Sequence, residues 1–149
     1  MVTSISPNKS DALQNTNVNV APRKVKQAFL NSADDTSIIV SNHRFNNSVT
    51  LVADEAKEIN NPFSDAKVKK IEDNRIFLEV NSGDSTYEVE LYGIDPSTNL
   101  KKDQNLPRNT KLGNMGDYKQ STSDGKFLGI RVKNESGNNI NPAELLNRL

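Results

Sequence analysis

Histidine and cysteine, which supply most metal ligands and many nucleophiles and bases in enzymes, are nearly missing from this sequence. The chain has one histidine, His43, and no cysteine. Disulfides, iron–sulfur clusters, thiolate zinc sites and a cysteine nucleophile are therefore excluded. A metal or acid–base site built on imidazole has at most one such member.

Carboxylates form two groups that could do chemistry. Asp54, Glu55 and Glu58 lie close in sequence, but the stretch lacks the alternating oxygen ligands and the central glycine of a calcium loop. Glu88 and Glu90 have the spacing that places two carboxylates on one face of a strand, as glycoside hydrolysis would need. No sugar-binding platform accompanies them. We interpret the first group as a solvated loop and the second as surface charge.

Two further patterns could bind anions. Lys67, Lys69 and Lys70 are clustered, but acidic residues follow them directly, so the polar face of a strand is the better interpretation. The stretch from Gly113 to Gly116 is glycine-rich, yet the Lys-Ser/Thr pair of a phosphate loop does not follow it. The sequence predicts a turn there.

Composition limits the remaining classes of function. The chain has 149 residues, of which 34% are hydrophobic, and 19 basic residues balance 19 acidic ones. This length suits one domain, and a neutral chain has no long-range field to attract nucleic acid or an anionic membrane. No apolar run approaches a membrane span, and Met1–Pro22 has no apolar segment of a signal peptide. We expect no nucleic-acid or membrane partner.

The elements that must position any site begin after a polar arm. Residues 1–22 show no sustained hydrophobic period and predict an extended arm, either disordered or ordered on a neighbouring subunit. Val25, Ala28 and Phe29 then have helical spacing in Arg23–Ser32, after a proline suited to a first turn. The predicted division is an arm at 1–22, a short helix and linker at 23–35, and a β domain at 36–149.

The β domain is predicted from short β-branched stretches bounded by turn residues. Asp73-Asn74 and Ser82-Gly83-Asp84 separate alternating stretches, so Ala66–Tyr92 predicts a three-stranded antiparallel meander. Asp95–Gly125 carries many turn residues and predicts loops, and Pro142–Leu149 predicts a last helix capped by Asn141. The predicted strands are Thr36–Val40, Ser48–Ala53, Ala66–Ile71, Arg75–Val80, Thr86–Tyr92 and Lys126–Lys133.

The order of motifs resembles the lysostaphin/LytM-type zinc endopeptidases, which cut peptidoglycan cross-bridges. Leu100, Leu106 and Leu112 keep the six-residue apolar spacing of that family's loop, and two of its glycines become Asp103 and Asn109, which tolerate left-handed turns. The family's other motifs correspond to Phe45–Ala53, Ile59–Pro62, Leu91–Ile94, Lys126–Val132, and Asn141-Pro142 before Leu145-Leu146.

This resemblance spans Ile38 to Leu149 and implies a mainly β fold. The implied architecture is a small antiparallel sheet or sandwich of the LytM-peptidase type, with one short helix near each end. Such a peptidase holds zinc with two histidines and an aspartate, and uses a further histidine for proton transfer. Here the resemblance places Asn46 at the first ligand histidine, Thr50 at the aspartate, Gly93 at the histidine of the meander strand, and Phe127 and Gly129 at a His-x-His pair.

The resemblance therefore implies a scaffold without zinc, cofactor or catalysis, whose former cleft could serve as a docking site. We expect a structural or interaction protein, namely a tail or baseplate component of a phage-like particle that meets other subunits through its arm. The alternative is a non-enzymatic cell-wall regulator or a peptidoglycan-binding module. A hydrolase with another mechanism lacks a nucleophile paired with a base. The expected location is the virion, or otherwise the cytoplasm.

Overall fold

The fold was analysed in a computed structural model, which describes residues 23–32, 35, 37–43, 47–120 and 123–147. Within these residues the chain forms two short helices and eleven strands. Helix α1 covers residues 23–30. The other elements are β1 (Ile39–His43), β2 (Ser48–Ala53), β3 (Glu58–Asn60), β4 (Ala66–Glu72), β5 (Arg75–Ser82), β6 (Ser85–Tyr92), β7 (Ile94–Pro96), β8 (Asn105–Leu106), β9 (Lys111–Gln120), β10 (Ser123–Lys133), β11 (Asn139–Ile140) and α2 (Pro142–Asn147).

The strands form one antiparallel system with two parts. The main path runs in the order β1-β2-β10-β6-β5-β4-β8, so the late strand β10 lies between two early ones. The second part is built on β9, which pairs with β3 and β7 and also with β10. The predicted mainly β architecture is confirmed.

The predicted meander is confirmed as β4, β5 and β6. β5 and β6 pair without interruption from Arg75 opposite Tyr92 to Ser82 opposite Ser85. Tyr87, Val89 and Leu91 are buried on one face of β6, as their alternation predicts. The opposite face of the same strands is left to form the candidate site.

The core lies between the main sheet and the elements that cover it. Val25 and Phe29 of α1 are almost fully buried, and the Phe29 ring meets the edge of the Phe63 ring at 5.9 Å between centroids. The α1 helix lies within the predicted stretch and packs on the domain through this apolar face. No helix among the described residues is long and apolar enough to cross a membrane.

The predicted loop at Asp95–Gly125 is wrong from Lys111 onward, where the ten-residue strand β9 forms and β10 begins. The two-residue strand β8 lies in its first half. The Gly113–Gly116 stretch is part of β9 and not a turn. A Cβ on Gly113 would lie 2.2 Å from the Asp95 carbonyl oxygen, and one on Gly116 would lie 2.1 Å from the Gly93 carbonyl oxygen. These glycines permit close backbone contact between β9 and β7, which is why the strand has so little β-propensity of its own.

The loop that carries the three leucines with six-residue spacing has the conformation that the resemblance implies. Leu100, Leu106 and Leu112 are all buried. Between them, Asp103 and Asn109 have positive φ angles of 68° and 71°. The prediction that these two residues stand at left-handed positions is confirmed.

The short strands β3, β7 and β11 carried no signal in the sequence, because two or three residues are too few to show a period. The predicted arm at 1–22 lies outside the described residues, and the proposed domain boundaries stay predictions.

Candidate functional site

Three neighbouring strands bring together, on the face opposite the core, four of the five positions that the resemblance assigns to the zinc site. Gly129 in β10 is paired with Thr50 in β2 on one side and with Tyr92 in β6 on the other. Phe127 lies two residues before Gly129 and therefore on the same face. Gly93 follows Tyr92 directly. Four of the five predicted positions thus share one patch of the sheet, and the fifth, Asn46, lies outside the described residues.

The Phe127 ring occupies the space above Gly93. A Cβ built on Gly93 would lie 2.1 Å from Phe127 Cδ1, which no side chain can accept without displacing the ring. Gly93 also has a φ angle of 78°, a conformation that favours glycine. Both facts require glycine at this position while Phe127 keeps its place.

The Tyr92 ring occupies the space above Gly129 in the same way. A Cβ on Gly129 would lie 2.1 Å from both Cε2 and Cζ of Tyr92. The rings of Tyr92 and Phe127 contact each other at 5.7 Å between centroids, with an interplanar angle of 57°. We call these two rings the aromatic pair. It covers both glycines at the centre of the patch.

An ion-pair network extends the patch along β10, β6 and β5. The Glu90 carboxylate accepts a hydrogen bond from Arg75 at 3.1 Å and another from Arg131 at 3.2 Å. The Arg131 guanidinium lies 5.2 Å from the centroid of the Tyr92 ring, a cation–π distance. Because each group holds the next, this network fixes the tyrosine over Gly129.

Glu90 differs from its interpretation as surface charge. The residue is only 8% exposed, and its two arginine partners make its burial possible. Glu88 fits the interpretation better, since its carboxylate pairs with Lys69 at 2.7 Å near the surface. The two carboxylates are engaged by different cations, which argues against a joint role in glycoside chemistry.

The patch does not fit a zinc ion. Of the four described positions, Thr50 offers a hydroxyl oxygen, while the two glycines and Phe127 offer no side-chain donor. Catalytic zinc needs three nitrogen, sulfur or carboxylate oxygen ligands and an open fourth position. The volume above the glycines is taken by carbon atoms of the aromatic pair.

The remaining sequence candidates do not form a site among the described residues. Glu58 lies 3.7 Å from Lys111 in an exposed ion pair, and Lys70 pairs with Glu72 at 2.9 Å. No group of three or more His, Cys, Asp or Glu side chains that could hold a metal occurs in the described part of the chain. His43 stands in β1 opposite Ser48.

Sequence reasoning missed Tyr92, Arg75 and Arg131. Their signal was available in part, because Tyr92 continues the exposed-face alternation of β6 beyond Glu90. The pairing of β10 with β6, which aligns Arg131 with Glu90, is a long-range register that one strand's pattern does not contain.

Comparisons with known proteins identify the fold of the chain. No protein-family model matches the chain, and no curated protein does. Among solved structures, the chain is similar to a Pseudomonas aeruginosa protein assigned as a peptidase M23, with a TM-score of 0.58 and 15% sequence identity. The match covers 100% of this chain, which spans 66% of the length of that protein. The chain therefore has the LytM-type peptidase M23 fold.

Proposed function

We propose that this LytM-type scaffold is a non-catalytic interaction module. The observation that carries the proposal is the aromatic pair, whose rings occupy the volume above Gly93 and Gly129. In the family that the sequence resembles, both positions hold histidines of the zinc-containing active site. A histidine at either position here would overlap a ring that is held by its own neighbours.

The residue types at the patch support the same proposal. Zinc lowers the pKa of its bound water only where the protein supplies ligands for the metal. Thr50, Gly93, Phe127 and Gly129 supply neither imidazole nor carboxylate. The patch instead presents two aromatic rings beside an arginine, which is a composition common in protein interfaces.

We further propose that the chain is a structural component of a larger assembly, with the tail or baseplate of a phage-like particle as its setting. A neutral, cysteine-free chain with a polar arm at residues 1–22 suits a subunit that joins others through the arm. The proposed partners are other protein subunits. Peptidoglycan binding without cleavage is the alternative that the fold allows.

Metal loading and cleavage test the non-catalytic proposal. The purified full chain is incubated with excess zinc and desalted, its metal content is measured by mass spectrometry, and the same sample is assayed on purified peptidoglycan. We expect no stoichiometric zinc and no released peptides. An active LytM-type peptidase treated in parallel serves as the positive control. Bound zinc at one ion per chain, or cleavage, would overturn the proposal.

Copurification tests whether the chain is a component of a phage-like particle. An antibody to the chain is used on particles purified from the producing cells, and on peptidoglycan pelleted from the same lysate. The proposal expects the chain in the particle fraction at a fixed ratio to the major tail protein. Recovery with peptidoglycan alone would favour the cell-wall module instead.

A further inference from the structure

An open cavity lies on the outer face of the meander, which is the face opposite the core. It has a volume of about 950 Å³ and is lined by residues of β4, β5 and β6 and by the loop at residues 100–103. Phe77 of the lining belongs to the outer face, because its neighbours Ile76 and Leu78 are fully buried in the core. None of the four described positions of the candidate site lines this cavity. It is therefore a second feature of the same face.

A β-bulge concentrates two lysines at this cavity. The pairing of β4 with β5 shifts its register between Val68 and Lys70, whereas regular alternation would turn Lys69 and Lys70 to opposite faces. The Lys69 ammonium meets the Glu88 carboxylate at 2.7 Å, and the Lys70 ammonium lies 5.4 Å from the centroid of the Phe77 ring. Both ammonium groups are thus on the outer face.

The loop brings two more lysines to the rim of the cavity. The Asp103 amide donates to the Val68 carbonyl at 2.7 Å, and the Val68 amide donates to the Gln104 carbonyl at 2.9 Å. These two hydrogen bonds hold the loop beside the bulge. Lys101 and Lys102 are exposed and line the cavity, and among the described residues neither ammonium group takes part in an ion pair.

The charge of the cavity is concentrated on the loop. The lining carries four lysines and two carboxylates, a net charge of +2, in a chain whose formal net charge is zero. On the strands the positive charge is compensated, because Glu88 pairs with Lys69 and Glu72 pairs with Lys70. The strand lysines therefore form no site by themselves. The excess lies at the two loop lysines, where Asp103 offsets only part of it.

The floor of the cavity is apolar, since Phe77 and Ile71 are half-buried there and Leu100 is buried. We propose that this cavity binds an acidic segment of a partner protein. In this arrangement an apolar side chain of the segment packs on the floor, and carboxylates of the segment pair with Lys101 and Lys102. The inference rests on the proposed interaction role of the chain, and it adds the surface and the chemistry of a partner.

The same residues disfavour a nucleic acid or an inorganic anion as the occupant. Single-stranded nucleic acid binds by stacking its bases on aromatic rings. Among the described residues of the lining, Phe77 is the single aromatic one, and the Lys70 ammonium lies over its ring. A phosphate ion has no apolar group to cover Ile71 and Leu100. A peptide supplies both apolar side chains and carboxylates at short spacing.

Fluorescence anisotropy of a labelled peptide tests the proposal on the full chain. The probe is Glu-Asp-Leu-Leu-Asp-Glu with fluorescein at its N-terminus. Two control peptides replace its acidic residues by Gln and Asn, or its leucines by Ser. We expect the probe to bind at least about fivefold more tightly than either control, since each control lacks one of the two kinds of contact. Equal binding of all three peptides, or no binding, would show that the proposal is wrong.

A double variant of the loop lysines measures their share of the binding. Lys101→Gln/Lys102→Gln should weaken binding of the probe by about fivefold or more, because both charges at the rim are removed. The matched control, Lys24→Gln/Lys111→Gln, removes the same charge elsewhere, since Lys24 lines a different cavity and Lys111 pairs with Glu58. It should leave binding unchanged. All four lysines are exposed, and urea denaturation checks that both variants fold. Equal weakening in both would indicate general attraction between charges and would overturn the site.

Carbodiimide cross-linking locates the bound probe, because it joins carboxylates of the peptide to ammonium groups close to them. Peptide mass spectrometry then identifies the lysine. We expect cross-links at Lys101 or Lys102. Cross-links at Lys24 in their place would put the probe in the other cavity, and displacement of the probe by hexathymidylate would indicate a nucleic-acid site. Either result overturns the proposal.

The outcomes for this cavity are separable from those for the proposed function. If the probe does not bind to a chain that takes up no zinc and cleaves no peptidoglycan, this inference fails and the proposed function stands. Bound zinc would remove the proposed function whether or not the probe binds.

Discussion

Gly129 and Tyr92 share one small volume at the centre of the candidate site. We expect Gly129→Ala to lower the free energy of unfolding by about 1–3 kcal/mol, because the new methyl group forces the tyrosine ring to move. The same change in a Tyr92→Ala background should cost much less. Urea denaturation of the two single variants and the double variant measures the coupling between the sites. Additive effects would show that the ring does not occupy the space above Gly129.

Truncation of Phe127 to alanine measures how much the aromatic pair contributes to the stability of the fold. From the sequence, Phe127→Ala is expected to cost about 3–5 kcal/mol if the ring is core, and little if it is an exposed anchor. The structure places the ring between these limits, half-buried against Gly93 and Tyr92. We expect a loss of about 2 kcal/mol in urea denaturation.

Phe63→Ala is the matched comparison for Phe127→Ala. Phe63 is 1% exposed and packs against Phe29. Its truncation should therefore lower the free energy of unfolding by about 3–5 kcal/mol, the loss expected for a core phenylalanine. A larger loss at Phe127 than at Phe63 would contradict the half-buried position.

For single residues, the sequence predicted which positions belong to the candidate site better than it predicted which side chains contact each other there. The resemblance was enough to select Thr50, Gly93, Phe127 and Gly129, and the structure brings these four into one patch. Of the two rings that fill the patch, the Tyr92 ring could not be foreseen. Tyr92 meets Gly129 only because β10 and β6 pair in one particular register, and a shift by one residue would turn the tyrosine to the other face.

The loop that joins β7 to β9 depends on two left-handed residues. Asn109 has a φ angle of 71°, and its amide donates to the Asn61 carbonyl at 2.7 Å. We expect Asn109→Ala to cost about 1–2 kcal/mol, since a Cβ without a polar group disfavours this conformation. Asn109→Gly should be close to neutral. Asn99→Ala, at an exposed turn position without a positive φ, is the control for urea denaturation and should also be near neutral.

The segment directly before β1 is stabilised by a small network of side-chain hydrogen bonds and one ion pair. The Asp35 carboxylate accepts hydrogen bonds from the Ser37 hydroxyl at 2.5 Å and the Ser37 amide at 2.9 Å, and Lys57 lies 3.4 Å away. The Ser37 hydroxyl, the Ser37 amide and Lys57 together hold the pKa of Asp35 below its ordinary value of 3.8. Because this pKa is lowered in the folded chain, the stabilisation is present above pH 3.8 and is lost as the pH falls through the folded value.

Replacing the serine tests this network. Ser37→Ala should raise the pKa of Asp35 toward 3.8, since the largest favourable contact with the charged form is removed. Carboxyl carbon NMR across the acidic range measures the change. Ser64→Ala, exposed and outside the network, should leave the pKa unchanged, and an unchanged value in Ser37→Ala would contradict the assignment.

Elements were predictable where their pattern is local. β2 was found with its observed bounds, and the meander was found because each strand alternates and each turn has suitable residues. β9 was missed because its glycines lower its own propensity, while β3, β7 and β10 supply its pairing. No single stretch of sequence contains that support.

The whole molecule is joined by β9, which belongs to both parts of the strand system. Its first half pairs with β3 and β7, and its second half pairs with β10. We expect the described domain to unfold in one cooperative transition, because neither part can lose its strands without breaking this connection. Circular dichroism at 218 nm and tyrosine fluorescence should give coincident urea curves. Two separated transitions would show that the parts are independent.

The central position of β10 also governs how the fold is made on the ribosome. β2 ends at Ala53, and the last residue of β10 that pairs with β2 is Ile130, so the 77 residues after Ala53 must be translated before β2 can complete its inner pairing. At about 5–20 residues per second this takes about 4–15 s. During that interval β2 can pair with β1 but lacks β10 on its inner side. Productive folding of this domain is therefore completed only after most of its length has been synthesised.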